Sequence, residues 1–90
     1  MDETPQGNDA QHGMPGSAPR HLRAVRAERL MSIRELAQRA SVAPSTIYMI
    51  EAGRSLPQLA VVRRLAEVLD IDPQLVEEFR RSIRAHGGFR

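Results

Sequence analysis

The sequence contains no cysteine, no tryptophan and no lysine, and its aromatic residues amount to one Tyr and two Phe. Without cysteine, neither a disulfide nor a thiolate metal site can hold the fold together, a usage in keeping with a reducing, cytoplasmic setting. With so few aromatics, the core has to be assembled from Ala, Leu, Val, Ile and Met, which suits short helices packed closely. No apolar run approaches the roughly 18 residues of a membrane span, and no charged-then-apolar leader opens the chain. Catalytic and metal-binding patterns are equally scarce. His12, His21 and His86 are scattered, with no His-x-x-x-His pair, and Ser41 and Ser45 have no base beside them in the sequence. Glu77-Glu78 reads as a solvated helix face, and no glycine-rich phosphate loop is present. The expectation is a cytoplasmic protein that is not an enzyme and needs no metal, cofactor or small-molecule ligand.

Charge is present but unevenly placed. Residues 1–19 carry Asp2, Glu3 and Asp9 with no base, whereas residues 20–90 hold all 13 arginines against eight acids, a segment charge of +5 within a net +2. A basic body calls for an anionic partner, with nucleic acid the first class to consider.

The chain divides by composition. Residues 1–19 are rich in Pro and Gly and hold no aliphatic side chain beyond Met and Ala, so they cannot bury enough surface to offset the entropy of ordering; a disordered arm is expected there. From Arg20 the pattern turns helical. Leu22, Val25 and Arg29 follow helical spacing, closed by Leu30-Met31. Ser32 with Glu35 three residues on forms a capping-box pattern opening a second helix, whose inward stripe is Leu36, Ala37 and Ala40. Ser41-Val42-Ala43 interrupts it. Pro44 suits the first position of a third helix, with Ile47 and Ile50 inward and Gly53 as its stop. Leu56-Pro57 leads to a fourth helix carrying Leu59, Val62, Leu65, Ala66 and Leu69. Asp72-Pro73 opens a fifth, carrying Leu75, Val76, Phe79 and Ile83. Five helices without a strand predict an all-α domain over residues 20–84, followed by a frayed tail at 85–90.

Two short helices joined by a three-residue turn form the geometric core of a helix-turn-helix unit. Leu22, Arg26, Leu36-Ala37, Val42, Thr46-Ile47, Ile50-Glu51, Gly53, Pro57, Leu65-Ala66 and Leu69 together resemble the Cro/C1-type (Xre-family, phage-repressor-like) helix-turn-helix pattern. Its most specific stretch is Thr46-Ile47-Tyr48-Met49-Ile50-Glu51-Ala52-Gly53. The resemblance implies a five-helix, lambda-repressor-like domain in which the helix over residues 44–52 enters the major groove of duplex DNA. It also implies that Arg26 and Glu51 form a structural ion pair.

The residue pattern of the third helix agrees. With Ile47 inward and about 100° per residue, Ile50 and Glu51 share its side, while Ser45, Met49 and Ala52 face the other way. Pro44, Ser45, Thr46, Tyr48 and Met49 are therefore the base-contact candidates. Ser32 and Arg34 in the first turn of the second helix, and Arg54 after the third, are the phosphate-contact candidates. Arg63 and Arg64 are read as solvent-facing. Three positions depart from the family pattern: Ser41 stands where Gly is common, Ala43 where a Ser or Thr cap is usual, and Ile33 where Gln is frequent. The outer face also lacks Arg, Asn and Gln, the residues that read G or A bidentately, so modest specificity per half-site is expected.

The function expected is transcriptional regulation, by repression, on a two-fold site. Phe79 and Ile83 are the expected homodimer seam, while Leu75 and Val76 are expected to close the core. An antitoxin or adaptor whose main partner is another protein is the competing reading, resting on the same fifth-helix stripe.

Overall fold

The computed structural model describes residues 18–87. The arm expected over 1–19 lies outside the described residues for all but its last two positions, and the tail does so for 88–90. Five α-helices account for the described part: α1 (Leu22–Glu28), α2 (Ile33–Ala40), α3 (Pro44–Glu51), α4 (Leu59–Leu69) and α5 (Glu77–Ala85), with a single 3-10 turn, Pro73–Leu75, before α5. None of them is long and apolar enough to cross a membrane. The one β feature among the described residues is an isolated parallel bridge between Arg20 and Val76.

The starts of α2 and α3 have local causes. The Ser32 hydroxyl accepts the Glu35 N–H at 2.9 Å and caps α2. The other half of the expected capping box is replaced, since the Glu35 carboxylate pairs with Arg39 Nη2 at 3.0 Å one turn on. Pro44 occupies the first turn of α3, preceded by Ala43, which makes no side-chain cap bond.

The helix ends follow one rule. Leu30, Ser41, Gly53 and Asp70 all adopt left-handed backbone angles, with φ of 58°, 59°, 74° and 52°. Each N–H bonds a carbonyl three residues back, and the N–H of the residue that follows reaches five residues back, as in Val42 to Ala37 at 3.0 Å and Arg54 to Met49 at 2.9 Å. This double closure satisfies carbonyls that a helix end would otherwise leave bare. Three of these four stops are made without glycine.

The core follows the helical stripes. Leu22 and Val25 of α1, Leu36 and Ala37 of α2, Ile47 and Ile50 of α3, Val62, Leu65 and Leu69 of α4, and Val76 and Phe79 are each no more than 1% exposed. Complete burial of side chains this size is worth about 1.5–3 kcal/mol apiece before the entropy of ordering is set against it. Packing α2 on α3 and on α4, with α4 also against α5, places α3 at one side of the bundle with its outer face open.

The fifth helix differs from expectation in two ways. Asp72-Pro73 does open a helical turn, capped by Asp72 accepting the Gln74 N–H at 2.9 Å, but the turn is 3-10 and stops at Leu75. Val76 is extended (φ −116°, ψ 121°), and α5 starts afresh at Glu77. The cause is tertiary: Arg20 donates its N–H to the Leu75 carbonyl at 3.0 Å and accepts from Glu77 N–H at 2.8 Å, so backbone groups needed for a continuous helix are bonded across the chain.

That break turns α5 so that Phe79 and Ile83 face the chain's own interior, 0% and 4% exposed, while Leu75 stays 40% exposed. The expected division holds for Val76 alone, which is buried in the core: Phe79 and Ile83 are buried beside it and offer no surface for a homodimer seam, and Leu75 is left outside. The adaptor reading loses its stripe for the same reason. At the far end, Ala85 belongs to α5 and not to a frayed tail, and Gly87 closes the helix at φ 81°.

Candidate nucleic-acid interface

The outer face of α3 is set by what holds its back. Ile47 and Ile50 are buried, and Glu51, one turn after Ile47, is fixed by α1. Arg26 donates from Nε to Glu51 Oε2 at 2.7 Å and from Nη2 to Oε1 at 3.0 Å, a bidentate pair. Its remaining nitrogen, Nη1, donates to the Met31 carbonyl at 2.9 Å in the α1–α2 connection. The side chains are 14% and 8% exposed. Planar fork-to-carboxylate pairing of this kind fixes orientation as well as distance. The hydrogen bonds to Glu51 hold the Arg26 pKa above its ordinary value, so the guanidinium stays charged throughout the pH range of interest.

With its back fixed, α3 turns Pro44, Ser45, Tyr48 and Ala52 to solvent and leaves Thr46 and Met49 half-buried. These are the side chains expected on the groove-facing surface, and the Tyr48 ring among them is 58% exposed. In the turn, Ser41 takes the left-handed conformation and Val42 folds back onto the core. The sharp reversal between α2 and α3 rests on those two residues.

Ser32 and Arg34 lie in the opening turn of α2, both exposed. Arg54 follows the Gly53 stop of α3 and lines a shallow cleft with Ser55, Leu56, Glu78 and Arg81. The phosphate-contact candidates thus belong to two segments, Ser32 and Arg34 to the start of α2 and Arg54 to the loop after α3. Among the described residues neither Arg34 nor Arg54 has an acidic partner, in contrast to Arg20, Arg26, Arg29, Arg39 and Arg81.

The architecture, a left-handed turn between two eight-residue helices with the second braced from behind and open in front, is one that α-helical DNA readers use. The family of helix-turn-helix domains matches residues 20–79, two thirds of the chain. The chain belongs to that family. Comparison with curated proteins gives no match, and comparison with solved structures gives none. The match runs from Arg20 to Phe79 and so takes in the whole of the helix-turn-helix, from the start of α1 to the first turn of α5. Membership places the domain in the helix-turn-helix class of DNA-binding proteins.

One structurally decisive residue of the helix-turn-helix domain was misread from sequence. Glu78 is buried, not part of a solvated face. Its Oε1 accepts the Leu22 N–H at 2.8 Å, capping α1 from a distance of 56 residues, and its Oε2 lies 3.1 Å from His21 Nδ1. Neither its neighbours nor its spacing signals this, because the cap and the helix come from opposite ends of the fold. Ser82 was not singled out from sequence: buried in α5, it donates its hydroxyl to the Pro57 carbonyl and ties α5 to the α3–α4 connection.

Proposed function

We propose that this helix-turn-helix domain is a sequence-specific, Cro/C1-type transcriptional repressor that reads duplex DNA with α3 in the major groove. The observation that carries the reading is the two-sided character of α3. Ile47, Ile50 and the Arg26–Glu51 pair fix its back, while Ser45, Thr46, Tyr48, Met49 and Ala52 leave a front free of internal bonds between charged groups. A reading helix needs that combination, because groove contacts discriminate only if the helix cannot shift to suit a wrong base.

In this reading Ser45 and Thr46 hydrogen-bond base edges, Met49 packs on thymine methyl groups, and Pro44 and Tyr48 fit the flanks of the groove. Ser32, Arg34 and Arg54 bind backbone phosphates and set the register. Ser and Thr discriminate bases weakly, so DNA shape and a second half-site supply the remaining specificity. Two copies then bind a two-fold site, through a surface other than Phe79 and Ile83.

Selection of sites from a random duplex library at about 150 mM salt tests this. The enriched site and a scrambled control are then titrated by fluorescence anisotropy. An enriched, two-fold site bound at least ~10³-fold more tightly than the control is the expected result. Weak and equal binding to both duplexes would overturn the functional reading and leave the fold untouched.

A further inference from the structure

Beside the reading face, α1, the start of α2 and the second half of α3 enclose a cleft of about 340 Å3, lined by Arg23, Arg26, Ile33, Tyr48, Glu51 and Ala52. Its charges are not equivalent. Both Glu51 oxygens are taken by Arg26, so that pair contributes no net charge to the cleft. Arg23 stands one helical turn before Arg26, exposed, with no hydrogen-bond or ion-pair partner among the described residues. The cleft therefore carries one uncompensated positive charge, and it belongs to Arg23. Tyr48 forms another wall, exposed and with its hydroxyl likewise unpartnered among the described residues.

The position of the cleft matters as much as its charge. Ala52 lies on the outer face of α3, so the cleft opens directly onto the reading surface. Ile33 follows the Ser32 cap and precedes Arg34, so the opposite wall adjoins the first turn of α2. A duplex laid against α3 would run one backbone strand past this opening.

We infer that Arg23 is a further DNA-binding residue, a phosphate anchor on α1 that acts with the Tyr48 hydroxyl to seat a backbone phosphodiester in this cleft. The inference rests on the DNA-binding reading above and extends the contact surface from α2, α3 and the α3–α4 loop to the first helix. An unpaired guanidinium and a phenolic hydroxyl are both donors, and a phosphodiester oxygen accepts from both. Tyr48 accordingly serves the backbone and not a base edge, which leaves base readout to Ser45, Thr46 and Met49.

The test is the salt dependence of binding by the full chain to its selected duplex and to a scrambled one. Each phosphate neutralised adds about 0.9 to the slope of log K against log salt. Arg23→Gln is expected to lower the slope by about 0.9 on both duplexes, with roughly tenfold weaker binding, the value of one charge-assisted bond. Tyr48→Phe removes a neutral donor, so it weakens binding to both duplexes a few-fold and leaves the slope unchanged. Arg64→Gln, which deletes the same charge from α4, is the control. A thermal midpoint for Arg23→Gln equal to that of the parent shows that the fold is intact. Inorganic phosphate at millimolar concentration separates the sources of the anion. Arg23-dependent displacement of DNA by phosphate alone would overturn a site shaped for the backbone.

If Arg23→Gln behaves as Arg64→Gln does, while Arg34→Gln and Arg54→Gln lose slope, the anchor is overturned and the DNA-binding reading stands. If the parent chain binds no duplex with a salt-dependent affinity, both are overturned.

Discussion

Arg26 of α1 and Glu51 of α3 are joined by two parallel hydrogen bonds, 2.7 and 3.0 Å, and the same guanidinium holds the Met31 carbonyl at 2.9 Å. One side chain thereby binds both the connection that follows its own helix and the back of α3. The pair ties α3 to α1 with a fixed orientation, because a planar fork meets a planar carboxylate.

Breaking the pair from one side should therefore be costly. Arg26→Ala or Glu51→Ala is expected to destabilise the domain by about 3 kcal/mol, since each leaves a mostly buried charge without its counterpart. Replacing both together, as Arg26→Met with Glu51→Leu, should recover a large part of the loss. Urea denaturation of the three variants measures it. Additive losses in the double variant would mean that the side chains pack independently.

The left-handed helix stops give an opposite prediction. Ser41→Gly and Leu30→Gly should each stabilise by roughly 0.5–1 kcal/mol, because a side chain with a Cβ is strained at these angles. Leu30 is 89% exposed, so its replacement sacrifices little packing. Gly53→Ala should destabilise by about 1 kcal/mol. A Cβ at Gly53 would meet nothing within 4 Å, so that loss isolates the backbone strain. Thermal midpoints decide all three cases.

Glu78→Ala is expected to cost about 1–3 kcal/mol by leaving the buried Leu22 N–H without an acceptor. The local signature is more telling than the total. Hydrogen exchange at the Leu22 amide should accelerate well beyond what the global loss of stability accounts for, because α1 loses the carboxylate that caps it. Exchange at Leu22 that rises only in step with distant amides would refute this role.

A pH effect follows from Arg20 and Glu28. The hydrogen bond from Arg20 Nη2 at 2.9 Å is the main cause of a Glu28 pKa below its ordinary 4.5. A carboxyl whose folded pKa is depressed contributes stability that is complete above the unfolded pKa and is lost as pH falls through the folded value. Glu28→Gln should therefore flatten part of the acid limb below about pH 4.5. At neutral pH the effect should stay within about 0.2–1 kcal/mol, since both side chains are about half exposed and screened by solvent. Unfolding measured across the acid range in parent and variant provides the comparison.

How legible the site was depends on the range of the interactions that make it. The inward stripes of α2, α3 and α4 were readable because helical periodicity is a property of neighbours three and four residues apart. The Ser32 cap and the Pro44 start are local in the same way, and so was the sorting of α3 into a buried back and an open front. Arg23 was not legible. Nothing in its immediate sequence separates it from the other arginines; its distinction is that the one acid of its cleft, Glu51, is taken by Arg26, and that Tyr48 lines the same cleft. Left-handed backbone at Leu30 and Asp70 was equally hidden, because an exposed Leu carries no local sign of such a turn.

By itself, then, the sequence determined the all-α class, the number of helices, most of the inward residues and the helix-turn-helix frame around Leu36-Ala37 and Thr46-Ile47. These follow from composition, periodicity and capping, each of which acts within a few residues. Only the tertiary structure decided how α5 is used. Arg20 takes up the backbone groups of Leu75 and Glu77, the helix breaks at Val76, and Phe79 and Ile83 swing into the core while Glu78 caps α1. A stripe of apolar residues specifies that a face will be buried but not against what. That choice is settled by hydrogen bonds between segments more than 50 residues apart.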